Sequence, residues 1–272
     1  MYGLTKIANI STFEGIEYAC ALIYLVKLGL RKDLMIIDMK NYSIAGLNIS
    51  MHFGGKTLTA QAKPYEAKDD TKDADIVINP TVETILSMLK RHPEADADLC
   101  EYMWTGTKFY EGLLDFDGFL LHSSAVVLDG KAYLFSATSG TGKSTHTNLW
   151  LKVFGDRAKI LNDDKPAIRV IDGQVYASGT PWSGKVDLSI NETVPVAGIC
   201  FLERAKENSI CEISSKEALT RLLEQTIKPK NTEQLDKLCK ILDRVFEKVK
   251  VYRLGCNISE EAVYTAYNAM KG

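Results

Sequence analysis

The chain has 272 residues, enough for one large domain or for a small one joined to a medium one, and its 46% apolar and 25% charged residues are those of an ordinary globular protein. A formal net charge of −2 without a long basic run excludes an electrostatic footprint for nucleic acid or for an anionic membrane, so neither partner is expected. The six cysteines (Cys20, Cys100, Cys200, Cys211, Cys239, Cys256) form no Cys-x-x-Cys pair and the four histidines are unclustered, which argues against a disulfide framework or a zinc site and for a cytoplasmic location.

In chain order, the apolar segment at residues 15–30 carries Glu17 and Lys27 and is too short to span a bilayer. It predicts a helix opened by a capping box of Ser11 and Glu14, and residues 1–38 make an N-terminal helical extension. Residues 42–53 alternate, with Ile44, Leu47, Ile49, Met51 and Phe53 mostly two apart, and predict a strand. Gly54-Gly55 would then turn the chain into a second strand over residues 56–62. Residues 66–75 are charged and read as a solvated loop. Asn79-Pro80 is expected to open a helix running to about Lys90, and Leu99, Met103, Tyr110 and Leu114 mark a longer helix interrupted at Gly106. Residues 39–116 are therefore expected to form a small α+β region.

From residue 117 to 272 the pattern changes to dense strands. Two apolar runs, 120–128 and 131–136, flank Asp129-Gly130, a strong hairpin pattern. Residues 158–161 form a short strand ending in Asn162-Asp163-Asp164, and Asp172-Gly173 marks a second hairpin. Residues 179–185, Gly-Thr-Pro-Trp-Ser-Gly-Lys, are a loop, and 196–202 a buried strand. Ser214 with Glu217 caps a helix through Thr226, Asn231 starts another to Val249, residues 249–254 are a strand, and Ser259 caps a last helix to Met270.

Between the first hairpin and the 158–161 strand lies the stretch that carries chemistry. Residues 137–145, Ala-Thr-Ser-Gly-Thr-Gly-Lys-Ser-Thr, follow a strand and lead into a helix that ends at Gly155. Ser139, Gly140, Thr141, Gly142, Lys143, Ser144 and Thr145 read as a phosphate-binding loop. Glycines let the backbone wrap an anion and aim N–H groups at it, and the helix N-terminus adds to the attraction. Lys143 would reach the outer phosphates of ATP and Ser144 would ligate Mg²⁺. Ala137 stands where the usual pattern has its first glycine, a mild variation, since alanine is the smallest residue with a Cβ. Asp163 and Asp164, about twenty residues further on, supply what phosphoryl transfer needs: one carboxylate for the metal and one to accept the proton of an attacking hydroxyl. In the 179–185 loop, Trp182, Gly184 and Lys185 are the candidate contacts for the acceptor or the transferred phosphate. Arg204 and Arg253 are weaker candidates for phosphate contact, and His146 is expected to be structural.

These features together resemble the catalytic domain of HPr kinase/phosphorylase and its relatives, which share a nucleotide-binding fold with phosphoenolpyruvate carboxykinase. The resemblance rests on the antiparallel hairpin, the run from Leu121 and His122 to Val127, the 139–145 loop and the Asn162-Asp163-Asp164 strand end, and it covers about residues 117–204. It implies an α/β P-loop fold with antiparallel hairpins, preceded by the smaller α+β region. It further implies that His122 lies in the active site, that Asp163 is the general base, and that Asp164 with Ser144 supports the metal. Thr145 stands where HPr kinase has glutamate, and the second glycine-rich stretch by which HPr kinase engages its protein substrate is missing. The expected activity is Mg²⁺-dependent transfer of the γ-phosphoryl group of ATP to a hydroxyl of a protein, a peptide or a small molecule, with the oligomeric state, a homo-oligomer included, left open. The rival readings are a carboxykinase acting on oxaloacetate and an ATP-binding regulatory protein without transfer activity.

Overall fold

The computed structural model describes residues 39–68, 73–138, 140–184 and 186–272. The helix expected after Ser11 and the rest of the 1–38 extension lie outside the described residues.

The small N-terminal region departs from the sequence reading in four places. Strand β1 (Lys40–Ile44) turns at Ala45-Gly46 into β2 (Leu47–Met51), so the alternating run is a hairpin rather than one strand. Ala45 and Gly46 have φ of 54° and 77°, the left-handed pair that fits the twist of a two-residue turn. The apolar spacing between Ile44 and Leu47 is three instead of two, and the two residues between them, Ala45 and Gly46, are the turn. Residues 56–62 are not a strand but helix α1 (Lys56–Ala62): Leu58, Gln61 and Ala62 are buried at spacings of three and four. Strand β3 (Ile76–Ile78) adds parallel to β2. Helix α2 (Val82–Arg91) begins two residues later than Asn79-Pro80 suggests, because Thr81 is the residue whose hydroxyl accepts from the N–H of Thr84. Helix α3 (Ala97–Leu113) is continuous through Gly106. That glycine is a contact and not a break: a Cβ there would stand 2.8 Å from Cδ1 of Trp182.

The remaining strands build a curled mixed sheet, nine-stranded among the described residues. Strands β4 (Gly118–Leu120), β8 (Ala167–Ile171) and β9 (Gln174–Ser178) pair antiparallel in that spatial order. Strand β10 (Thr193–Arg204) joins the two halves: its start pairs antiparallel with β9, and its end lies parallel between β6 (Lys131–Ser136) and β12 (Val251–Cys256). Beyond β6 come β5 (Ser123–Leu128) and β7 (Ala158–Asn162), and β11 (Ser209–Glu212) edges β12. Both expected Asp-Gly turns form, with φ of 50° and 77° at Asp129-Gly130 and 49° and 75° at Asp172-Gly173.

The sheet is covered on both faces, and the two-residue period of the strands divides its side chains between them. In β5, Ala125 and Val127 pack with Leu222 of α5 (Ser215–Glu224) and with Leu238, Leu242 and Val245 of α6 (Thr232–Lys248). Val126 and Leu128 pack instead with Trp150 of α4 (Lys143–Phe154) and with Val263 and Ala266 of α7 (Glu260–Met270). Ser214, Asn231 and Ser259 cap α5, α6 and α7 as their sequences predict. Among the described residues, no helix is long and apolar enough to cross a membrane.

Candidate active site

The loop after β6 is shaped by its glycines. Gly140 and Gly142 have φ of 78° and 122°, and an added Cβ would meet nothing closer than 4.0 Å. Backbone conformation, not crowding, therefore calls for glycine here. Thr141 N–H donates to Thr138 O at 3.2 Å, and Arg204, at the end of β10, donates to Gly140 O at 2.5 Å and to Thr141 O at 3.3 Å. Ser139 lies outside the described residues. Lys143 opens α4 and its ammonium donates to Ala137 O at 3.1 Å. Burial lowers the Lys143 pKa, against the opposing pull of the Asp164 and Asp163 carboxylates.

Those carboxylates arrive from β7, which ends one residue before them. Asn162 Oδ1 accepts the backbone N–H of Asp164 at 3.0 Å and of Lys165 at 2.6 Å, a side-chain turn that sends the two aspartates to different neighbours. Asp163 faces the loop: Ser144 Oγ donates to its Oδ2 at 3.1 Å, and Ser124 of β5 donates to its Oδ1. Asp164 faces His122, with Oδ1 at 3.1 Å from Nε2, and makes a close ion pair with Lys165. Burial opposes ionisation of Asp164, but the His122 hydrogen bond and the Lys165 charge outweigh it and bring its pKa down to about 2. His122 Nε2 is also 3.4 Å from the Lys143 ammonium, and its Nδ1 is 3.0 Å from Gln225 Oε1. His122, Lys143, Ser144, Asp163 and Asp164 thus converge from three separate segments.

The 179–185 loop differs from its expected role in part. Trp182 is only 1% exposed; it stacks on Phe109 at 4.9 Å between ring centres, and its Nε1 donates to Thr105 at 3.3 Å. A ring buried between the loop and α3 has no face left for a substrate, so Trp182 is an anchor and not an acceptor contact. Gly184, by contrast, reaches the aspartates: at φ 83°, a Cβ on it would sit 3.1 Å from the Asp164 Cβ. Two residues of the N-terminal region hold it there. Gln61 of α1 donates to Gly184 O at 3.2 Å, and Gly184 N–H donates to the Tyr102 hydroxyl of α3 at 3.0 Å. Lys185 lies outside the described residues.

Arg204 stands at the loop, whereas Arg253 lies away from it, 3.8 Å from Glu217. Ser124, Lys165, Gln225, Gln61 and Tyr102 are site neighbours that the sequence reading passed over. Ser124 and Lys165 were within reach, each within two residues of a candidate; the other three come together only through tertiary contact. Among the described residues, no three His, Cys, Asp or Glu side chains are grouped to hold a metal alone. Ser144 Oγ and Asp163 Oδ2 are the paired oxygens next to the loop.

Residues 85–259 match the family model described as SynChlorMet cassette protein ScmC. No curated protein matches the chain. Among solved structures, the Hpr(Ser) kinase/phosphatase from Coxiella burnetii is similar at 14% identity and a TM-score of 0.32, over 56% of this chain and 99% of that one.

Proposed function

The chain belongs to the family of SynChlorMet cassette protein ScmC, and we propose that it is an ATP- and Mg²⁺-dependent phosphotransferase of HPr-kinase-like, P-loop type that passes the γ-phosphoryl group to a hydroxyl. The observation that carries this reading is the convergence on one glycine loop of Lys143, Ser144, Asp163, Asp164 and His122. Phosphoryl transfer asks for little covalent chemistry from a protein and much positioning of charge, and these five groups supply it.

In this reading the loop backbone and Lys143 hold the phosphates. Ser144 and Asp163 fit the metal role, because a nucleotide-borne Mg²⁺ keeps several waters and takes only one or two protein oxygens. Bound there, Mg²⁺ would neutralise charge on the β- and γ-phosphates. Asp164 is left for the acceptor: ionised, and fixed by His122 and Lys165, it orients the hydroxyl and takes its proton. Its low pKa is compatible with that task, since a loose transition state needs little basicity until late. This division reverses the one implied by the resemblance, which made Asp163 the base and Asp164 the metal ligand. The reason is the Ser144–Asp163 hydrogen bond.

The test is calorimetry with Mg-ATP on wild type and Lys143→Ala, followed by incubation of the wild type with γ-labelled ATP and cell extract. Binding that is lost in the variant, with a labelled acceptor, is expected. Binding without transfer would favour the regulatory reading, oxaloacetate-dependent ATP consumption the carboxykinase one, and absence of binding would overturn the proposal.

A further inference from the structure

Helix α3 belongs to the N-terminal region, yet one of its faces borders both neighbours of Asp164. Tyr102, Gly106, Phe109 and Tyr110 lie at helical steps of three and four and share that face. Tyr102 makes two of the contacts. Its hydroxyl accepts the Gly184 N–H at 3.0 Å, and its ring centre is 5.9 Å from Nζ of Lys165, the lysine that pairs with Asp164. Tyr110 makes the third, donating from its hydroxyl to Lys165 O, which also accepts from Thr180 at 2.8 Å. Gly106 and Phe109 hold Trp182, two residues before Gly184. Helix α1 completes the set, since Gln61 donates to Gly184 O at 3.2 Å. Both backbone polar groups of Gly184 are thereby tied to the N-terminal region.

The nucleotide side of the site is built differently. The bonds of Lys143, Ser144 and the glycine loop to Ala137, Asp163 and Arg204 stay within residues 117–272.

We infer that Tyr102 is a positioning residue for the acceptor half of the reaction, and that through it the N-terminal region serves phosphoryl transfer and not nucleotide binding. This role rests on the phosphotransferase reading. There the acceptor oxygen bonds to the γ-phosphorus, the bond from that phosphorus to the β–γ bridging oxygen breaks with ADP as leaving group, and the hydroxyl proton passes to Asp164. Asp164 can act only where its carboxylate points at the incoming hydroxyl. Gly184 limits it on one side: a Cβ there would stand 3.1 Å from Asp164 Cβ and 3.3 Å from its Oδ2, so the loop backbone leaves the aspartate no room for a side chain between them. Lys165 limits it on the other, through its ion pair with the same Oδ2. Tyr102 is the side chain that meets both limits. It is 7% exposed, so it acts through Gly184 and Lys165 and not by contact with substrate. Reacting groups tolerate little misplacement, and an error of about 1 Å can cost about 100-fold in rate.

The experiment measures two quantities on the full chain: Mg-ATP affinity by calorimetry, and the initial rate at which label from γ-labelled ATP enters the acceptor in cell extract. Tyr102→Phe removes the hydroxyl and keeps the ring. It is expected to slow transfer about tenfold or more while Mg-ATP affinity stays within about twofold of wild type. Gln61→Met, which takes away the other bond to Gly184, should act in the same direction, and it decides if Tyr102→Phe melts below the assay temperature. Met88→Ala is the control for stability alone, because Met88 packs in a separate apolar cluster with Ile85 and Cys100. It should lower the melting temperature at least as far as Tyr102→Phe and leave transfer within about twofold. Transfer at the wild-type rate by Tyr102→Phe, a matching loss of its Mg-ATP affinity, or an equal loss of transfer in Met88→Ala would overturn the positioning role and leave the phosphotransferase reading standing. Absence of transfer by the wild type would remove both.

Discussion

At the scale of single residues, adjacent aspartates have been given different surroundings by one asparagine. Asn162 Oδ1 takes the N–H groups two and three residues ahead, and the chain turns between Asp163 and Asp164. Asp164→Asn is therefore expected to cut phosphoryl transfer by about 100-fold or more with Mg-ATP affinity little changed. Asp163→Asn should instead weaken the Mg²⁺-dependent part of nucleotide binding. Titrations with and without Mg²⁺, beside turnover measurements, would separate the two; the reverse pattern would restore the roles implied by the resemblance. His146 makes a second prediction at this scale. Its pKa falls from 6.5 to about 4 because burial disfavours the charged ring. The unfolded chain takes up a proton near pH 6.5 and the folded one resists it, so the stability present above pH 6.5 is lost as the pH drops toward 4, by about 3 kcal/mol. Denaturant titrations of the nucleotide-free protein across that range should show this loss, and His146→Phe should remove most of it.

At the scale of elements, helix α3 and the 179–185 loop form one packed unit. Trp182 lies against Gly106, stacks on Phe109 and meets Tyr110 edge-on at 5.9 Å. Exchange of a mid-helix glycine for alanine normally favours the helix by about 1 kcal/mol. Here the added methyl group meets an indole ring that cannot withdraw from its own stack. Gly106→Ala is expected to destabilise by about 1–3 kcal/mol instead, and Trp182→Ala by about 3–5 kcal/mol, both read from urea unfolding. The same unit reaches the site, because Tyr102 of α3 and Gln61 of α1 hold Gly184 beside Asp164. An interruption at Gly106 was the natural reading of the sequence, since glycine is a poor helix former. Only the packing of Trp182 shows why the helix carries it.

At the scale of the whole molecule, the N-terminal region and the large sheet share a core. Tyr42, Ile44, Ile49, Phe109 and Leu113 cluster with Leu120, Ala167 and Trp182, across the change of sequence pattern near residue 117. Residues 117–272 produced alone would expose that apolar surface. The fragment is expected to bind a hydrophobic dye and to lose the near-ultraviolet dichroism of its aromatic core, whereas the longer chain should unfold in one calorimetric transition. Two separate transitions in the longer chain would show that the regions fold independently.

The sequence by itself determined whatever is settled over a few neighbouring residues. Two Asp-Gly turns, the caps at Ser214, Asn231 and Ser259, and the order of strand, glycine loop and helix around Lys143 were all legible, because turn dihedrals and cap hydrogen bonds are local. Its local readings failed where two periods compete over a short stretch, as in residues 56–62, and where a two-residue turn hides inside an alternating run, as at Ala45-Gly46. Tertiary structure alone decided which aspartate faces Ser144, that Trp182 is buried, and that Gln225, Gln61 and Tyr102 stand at the site. It also brought Arg204 to the loop through the parallel pairing of β10 with β6. Each of those placements depends on contacts between residues far apart in the chain, and the free energy of such contacts comes from burial and pairing that no local pattern records.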